Sequence, residues 1–229
     1  MDFISEGFVK SLHIIASGDR EAFGILFLTL RVSIIATAIA TLLGAPLGFI
    51  IGVSKFRGKG IALAVLNTAM SLPTVTVGLI VFGIISRRGP LGSMGLLFTP
   101  AAIIIGEVIL ALPIITALVC AAVNGMDESA RKTAMTLGAG PLRAALTVIS
   151  EARYAILAAV VAGFGRVIAE VGSAMMLGGN IRGVTRTLTT AIAFETGKGE
   201  FGFSFALGIL LLLLAFAVTG AFHLIQRRA

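Results

Sequence analysis

Apolar residues fall along the chain in five stretches, roughly 23–52, 61–86, 101–123, 154–178 and 203–225. Each is long enough to cross a bilayer as a helix, which takes about 20 residues and satisfies every backbone polar group within the segment. Residues 1–22 mix apolar with charged positions and predict a short amphipathic helix on the surface. Pro46, Pro73 and Pro113 fall inside the predicted spans and predict kinks there. Small residues step by four along the first span, through Thr29, Ser33, Thr37 and Thr41, and continue as Gly44, Gly48 and Gly52. That spacing lets two helix backbones approach closely in lipid, and packing is its simplest reading. Met175 and Met176 read the same way, as adaptable gap-fillers.

The polar interruption between the third and fourth spans has its own pattern. In ARKTAMTLGAGPLRAALTVISEAR, Ala130 to Arg153, two stretches with helical character (130–137 and 142–149) flank Gly138-Ala139-Gly140-Pro141. Glycine ends one helix in a tight turn, and proline opens the next where its missing N–H costs nothing. The expectation is a short helix lying across the membrane plane, with Leu142, Ala145 and Leu146 on its apolar face. Two readings stand on the residues alone: a plug for a partner's groove, or a solvated amphipathic loop.

Composition agrees with a membrane protein. The chain of 229 residues is 57% apolar and 13% charged, with a mean hydropathy of +1.05. That is more apolar surface than one soluble core hides, so the expected fold is an all-α transmembrane domain spanning 1–229. The net charge of +7 does not indicate nucleic acid, because the basic residues sit in short loops between apolar runs with no interleaved aromatics. Placing Lys55, Arg57, Lys59, Arg131, Lys132, Arg143, Arg153, Arg227 and Arg228 on one side leaves Lys10, Arg20, Arg87, Arg88, Arg182, Arg186 and Lys198 on the other. The first set is the larger, so the positive-inside rule makes it cytoplasmic, with the N-terminus outside and the C-terminus inside. The lone Cys120 lies in an apolar run and reads as a small buried hydrophobe. With Asp2 and Glu6 and no basic n-region, the start of the chain does not read as a cleaved signal peptide.

Charges inside the spans carry more information, since each costs about 2.5–3.5 kcal/mol at mid-bilayer unless paired or wet. They are Arg31, Glu107, Arg166 and Glu170. Arg166 and Glu170 are four apart on one helix face and can pair; Arg31 sits near an interface, where its side chain can snorkel. Glu170 has a functional reading and a structural one, and spacing does not choose between them. Arg166, Glu170, Gly172, Ser173 and Asn180 are the candidate pathway or gate residues.

TAMTLGAGPLRAALTVI, 133–149, resembles the EAA loop of ABC importer permeases, whose helix-turn-helix docks into the nucleotide-binding subunit. SLPTVTVGL (71–79) resembles the second-span element and GPLG (89–92) the outer loop of the same permeases, and EVGSAMMLGGNIRGVTRTLTTAI (170–192) resembles the signature of their oxyanion branch, so the likeness runs from about residue 26 to residue 224. Sulfate and molybdate permeases typically have Pro and Gln where this chain has Arg182 and Arg186, and Pro where it has Thr189; the combination here is most similar to tungstate importers. Two departures stand out. Lys132-Thr133-Ala134 occupies the place of the usual Glu-Ala-Ala, with Glu128 one turn earlier, and Ser150-Glu151 replaces the usual Leu-Pro.

The resemblance implies a type I ABC importer permease fold, with a cytoplasmic coupling loop at 127–150. It assigns Glu128, Leu137, Gly138, Ala139, Gly140, Pro141, Leu142 and Arg143 to ATPase coupling. It further implies a homodimer, two ATPase subunits and an extracytoplasmic binding protein that delivers tungstate, molybdate or a related oxyanion. No G-x-x-x-x-G-K-[ST] phosphate loop occurs, so ATP and Mg belong to the partner subunit and the chain itself is expected to bind no cofactor or metal. Arg182 and Arg186, beyond the fourth span, attract an anion, pair with acids on the binding protein, or simply face solvent. A secondary transporter driven by an ion gradient is the alternative that broken helices and in-membrane charges suit. An intramembrane enzyme is disfavoured, since no H-E-x-x-H occurs and His13 and His223 lie near the chain ends.

Overall fold

A computed structural model describes residues 2–126, 136, 138 and 140–227. Its helices are α1 (Asp2–Ala16), α2 (Arg20–Val53), α3 (Lys59–Met70), α4 (Thr74–Ile85), α5 (Pro100–Asn124), α6 (Pro141–Ile168), α7 (Gly172–Gly178), α8 (Leu188–Gly197) and α9 (Phe201–Arg227), with a short 3₁₀ turn at Gly92–Met94. No strand occurs among the described residues. Three helices, α2, α5 and α9, are long and apolar enough to cross a membrane unaided. The other two crossings are broken: α3 and α4 meet at 93°, α6 and α7 at 59°.

The sharp breaks do not fall where proline alone would put all of them. Pro46 lies inside α2 and Pro113 inside α5, and both helices continue through. Pro73 does mark a break, because it caps α4 in an extended conformation that ends α3 at Met70. The α6–α7 break, at 169–171, has no proline, and its cause is the tertiary packing described below.

α2 is the spine. Asp19 caps it, accepting from the Glu21 and Ala22 amides at 3.0 and 2.9 Å, so the helix starts three residues before its apolar run. It packs most extensively on α5. At Gly48 the approach is so close that a Cβ would lie 2.4 Å from the Thr116 carbonyl oxygen; Gly44 and Gly52 meet Leu112 and Val123 in the same register. The glycine ladder of the sequence is therefore a helix-packing seam. The register shows that α2 and α5 run parallel, with one crossing, α3–α4, between them. One end of the bundle, here the near end, gathers the start of α2, α8 and the start of α9 around Ala22, Ile25, Leu188, Ala191 and Leu207. The other, the far end, gathers the ends of α2 and α5 with the start of α3.

One expectation changes. The segment 142–149 is not a separate helix across the membrane plane. Pro141 opens α6, with Gly140 as its cap, and the helix runs unbroken to Ile168. No glycine or proline stands between Leu142 and Gly163 to stop it. The N-terminal helix forms as expected, but α1 lies against α9: Gly7 faces the Phe205 ring, Lys10 covers Gly202 and pairs with Glu200 at 3.7 Å, and Ser11 is fully buried.

Candidate translocation site

The two broken crossings bring their breaks together. Gly172 opens α7 against the start of α4, where a Cβ would come within 2.8 Å of Val75 Cγ2 and 2.9 Å of Thr74 Oγ1. A larger residue would push the Val75 and Thr74 side chains aside, so the α6–α7 turn nests beside the turn ended by Pro73. α7 itself is wedged between α4 and α5, with Leu177 fully buried and Ser173 against Gly78.

Glu170 sits at this junction, 3% exposed. Its Oε2 accepts from Arg166 Nη1 at 2.8 Å and its Oε1 accepts from the Ser173 amide at 2.9 Å. The carboxylate thus closes the broken helix from both sides: one oxygen holds the last turn of α6, the other an orphan amide in the first turn of α7. From α8, the Thr189 hydroxyl donates to the Glu170 backbone carbonyl at 2.6 Å. A carboxylate placed this way carries its negative charge within an ion pair and does not offer a docking point to an anion. The Ser173 hydroxyl and the Asn180 side-chain oxygen Oδ1 are buried and have no partner among the described residues. Glu107, on α5, is buried with its Oε2 likewise unpartnered and lies within electrostatic range of Glu170. Arg166, Glu170, Ser173 and Glu107 therefore gather where α4, α5, α6 and α7 meet, some fully bonded and some with capacity to spare, whereas Asn180 lies beyond the other end of α7.

Beyond α7 the chain is built by hydroxyls. Thr185 donates to the Gly178 carbonyl at 2.5 Å and accepts from the Ile181 amide at 3.0 Å. Thr187 and Thr190 form a reciprocal capping box that starts α8. The Leu188 amide donates to Thr29 on α2 at 2.9 Å, which gives that threonine a bonding role besides packing. Asn180, with φ 51°, and Phe98, with φ 62°, both occupy the left-handed region, and the Phe98 ring covers the intervening Gly179. The Phe98 amide donates to the Leu177 carbonyl at 2.9 Å, so two turns in strained conformations lock the α4–α5 loop to the end of α7.

Arg182 and Arg186 face acids of their own chain. Arg182 hydrogen-bonds Glu21, whose carboxylate raises the guanidinium pKa above its ordinary value. Arg186 pairs with Glu195 at 3.1 Å and with Glu21 at 3.4 Å, and Lys198 also reaches Glu195 at 3.4 Å. Arg186 and Lys198 stack over the Phe194 ring at 5.4 and 4.2 Å. Residue types alone did not reveal Glu21 and Glu195 as partners; the available signal was the scarcity of acids, only 11 in the chain.

At the far end, Glu128, Leu137 and Ala139 lie outside the described residues. Gly138 is described, and its φ of +85° fits the glycine turn expected there. Pro141 and Leu142 begin α6, and Arg143 is exposed on its first turns.

From residue 44 to residue 229 the chain matches the family described as binding-protein-dependent transport system inner membrane component. The chain belongs to this family. It is a membrane permease, a transport subunit and not an enzyme. Relatives extend the match to nearly the whole sequence. It is 40% identical over 226 residues to the tungstate uptake system permease protein TupB of Peptoclostridium acidaminophilum, covering 99% of each chain. It is 42% identical over 227 residues to TupB of Campylobacter jejuni, covering 99% of this chain and 95% of that one. A probable anion ABC transporter permease of Haloferax volcanii is 43% identical over 195 residues, covering 83% and 84%. The family read from the glycine turn and the 170–192 signature is thus the right one.

Proposed function

We propose that this permease forms the membrane pathway of an ABC importer for tungstate or a closely related tetrahedral oxyanion. The full-length similarity to two tungstate permeases supports the substrate. The single structural observation behind the mechanism is the continuity of α6. It is one rigid helix of 28 residues from Pro141 to Ile168, about 42 Å long, with the docking turn at one end and the Glu170 break at the other. A displacement applied at its Pro141 end reaches the break along continuous helix.

In this reading two copies pair, and each contributes half of the pathway. The far end faces the cytoplasm with the C-terminus, while α1 and the Arg182–Arg186 loop face outward. ATP and Mg stay on separate ATPase subunits, and a binding protein outside the membrane delivers the anion. Substrate passes beside the α4–α7 junction by weak contacts, and Arg166, whose side chain is 32% exposed, neutralises Glu170 behind it. Selectivity then rests mainly with the binding protein, because a pathway that held the anion tightly would not release it.

The complex with ATPase and binding protein, reconstituted in proteoliposomes, tests both parts. ATP hydrolysis should rise when the binding protein is loaded with tungstate and respond less to molybdate and sulfate; equal stimulation by sulfate would overturn the substrate assignment. Gly138→Trp, at a left-handed position with no described residue within 4 Å of an added Cβ, should insert in the membrane yet lose ATPase association. Normal transport in that variant would overturn the docking assignment.

A further inference from the structure

Lys59 occupies a position that local preference disfavours. It is the first residue of α3, where the partial positive charge of the helix N-terminus opposes a cation. Its ammonium instead turns back onto other helices. Nζ donates to the Gly52 carbonyl at 2.7 Å, the Ser54 carbonyl at 3.1 Å and Asn124 Oδ1 at 2.9 Å. All three ammonium hydrogens therefore have acceptors. Gly52 lies in the last turn of α2 and Ser54 is its C-cap, so the cation sits at the negative end of that helix and satisfies a carbonyl left open there. Asn124 is the last residue of α5, and its amide is held in turn by Cys120 Sγ at 3.3 Å. Only Gly125 and Met126 separate Asn124 from the segment that begins at residue 127.

One flexible side chain thus ties together the far ends of α2, α3 and α5 at the point where the chain leaves α5. The α2–α5 seam is already tight at Gly48 and Gly52, so the seam alone fixes the helix axes. What Lys59 adds is the placement of the last residue of α5. We propose that Lys59 is a positioning residue for energy coupling: it anchors the origin of the 127–150 segment to α2, so that force applied by the ATPases moves α6 instead of dragging the end of α5. This rests on the reading of 127–150 as the docking segment.

The test measures tungstate uptake and phosphate release together in the reconstituted complex. Lys59→Met and Asn124→Val should each lower uptake per ATP by about 2- to 30-fold, the range over which residues remote from both ligands change coupling. Because both remove the same link, the double variant should lose no more than either single one. Asn124→Asp, which keeps an acceptor for the ammonium, should stay near the unsubstituted ratio. An unchanged ratio in Lys59→Met, or a double variant whose loss is the product of the two singles, would overturn the proposal. Should Lys59→Met fail to accumulate, Lys59→Cys on a Cys120→Ser background is measured before and after aminoethylation, which rebuilds an ammonium of nearly lysine length. Recovery of the ratio supports the anchor and no recovery overturns it. A coupled Gly138→Trp complex removes the docking reading itself, whereas an uncoupled Gly138→Trp beside an unaffected Lys59→Met removes Lys59 alone.

Discussion

Thr189 on α8 donates its hydroxyl to the backbone carbonyl of Glu170 at 2.6 Å, so the helix that follows the outer loop is bonded directly to the break in the fourth crossing. The bond satisfies a carbonyl that the interrupted helix leaves open in a buried site. Thr189→Val keeps the shape and removes the donor. It should destabilise the chain by about 1–3 kcal/mol and reduce transport, while Thr189→Ser should retain most of both. Thermal unfolding of the detergent-solubilised permease, followed by uptake assays, distinguishes the two; equal behaviour of Val and Ser would show that the hydroxyl carries no weight.

The Arg166–Glu170 pair predicts a non-additive result. Arg166→Ala leaves a carboxylate that is 3% exposed without its counter-ion. For a fully buried pair such a change costs about 3–5 kcal/mol, and less is expected here because a third of the Arg166 side chain remains exposed. Adding Glu170→Gln should recover part of the loss, since the amide keeps an acceptor for the Ser173 N–H and carries no charge. Expression level and unfolding temperature of the two variants provide the comparison. A double variant worse than Arg166→Ala would mean that the residues are not partners.

Close packing predicts a sharp contrast between two glycines of one helix. At Gly48 an added Cβ would sit 2.4 Å from the Thr116 carbonyl oxygen, whereas at Gly24 it would meet none of the described residues within 4 Å. Gly48→Ala should therefore cost about 1–3 kcal/mol by forcing α2 away from α5. Gly24→Ala should be neutral or slightly stabilising through helix propensity. Unfolding midpoints of the two variants check this, and equal midpoints would contradict the seam.

Topology is open to thiol labelling on a Cys120→Ser background. Arg57→Cys, in the exposed far-end loop, should react with an impermeant reagent only from the cytoplasmic side. Arg88→Cys, exposed after α4, should react only from outside. The reverse pattern would invert the proposed orientation.

Hydropathy alone located the crossings, because the cost of placing backbone in lipid is a local quantity summed over about 20 residues. The chain therefore determined by itself that it spans the membrane, where its glycine seam runs, and that Gly138 and Pro141 form a turn and a helix start. The Arg166–Glu170 contact was legible for the same reason, since a four-residue spacing on one helix fixes both ends. The family signature at 170–192 was legible as a pattern, but the bonds it makes were not.

Tertiary structure decided the rest. The break at 169–171 has no proline to announce it; it exists because Gly172 meets α4 and because Glu170 can bond both halves of the helix. The partners of Arg182 and Arg186 come from Glu21, far away in sequence, and from Glu195 on a helix that the apolar pattern did not reveal. Lys59 is a loop cation in the sequence and a three-way anchor in the fold. Hydropathy and periodicity are sums over neighbours along the chain, whereas these polar contacts depend on which helix ends packing brings to the same place.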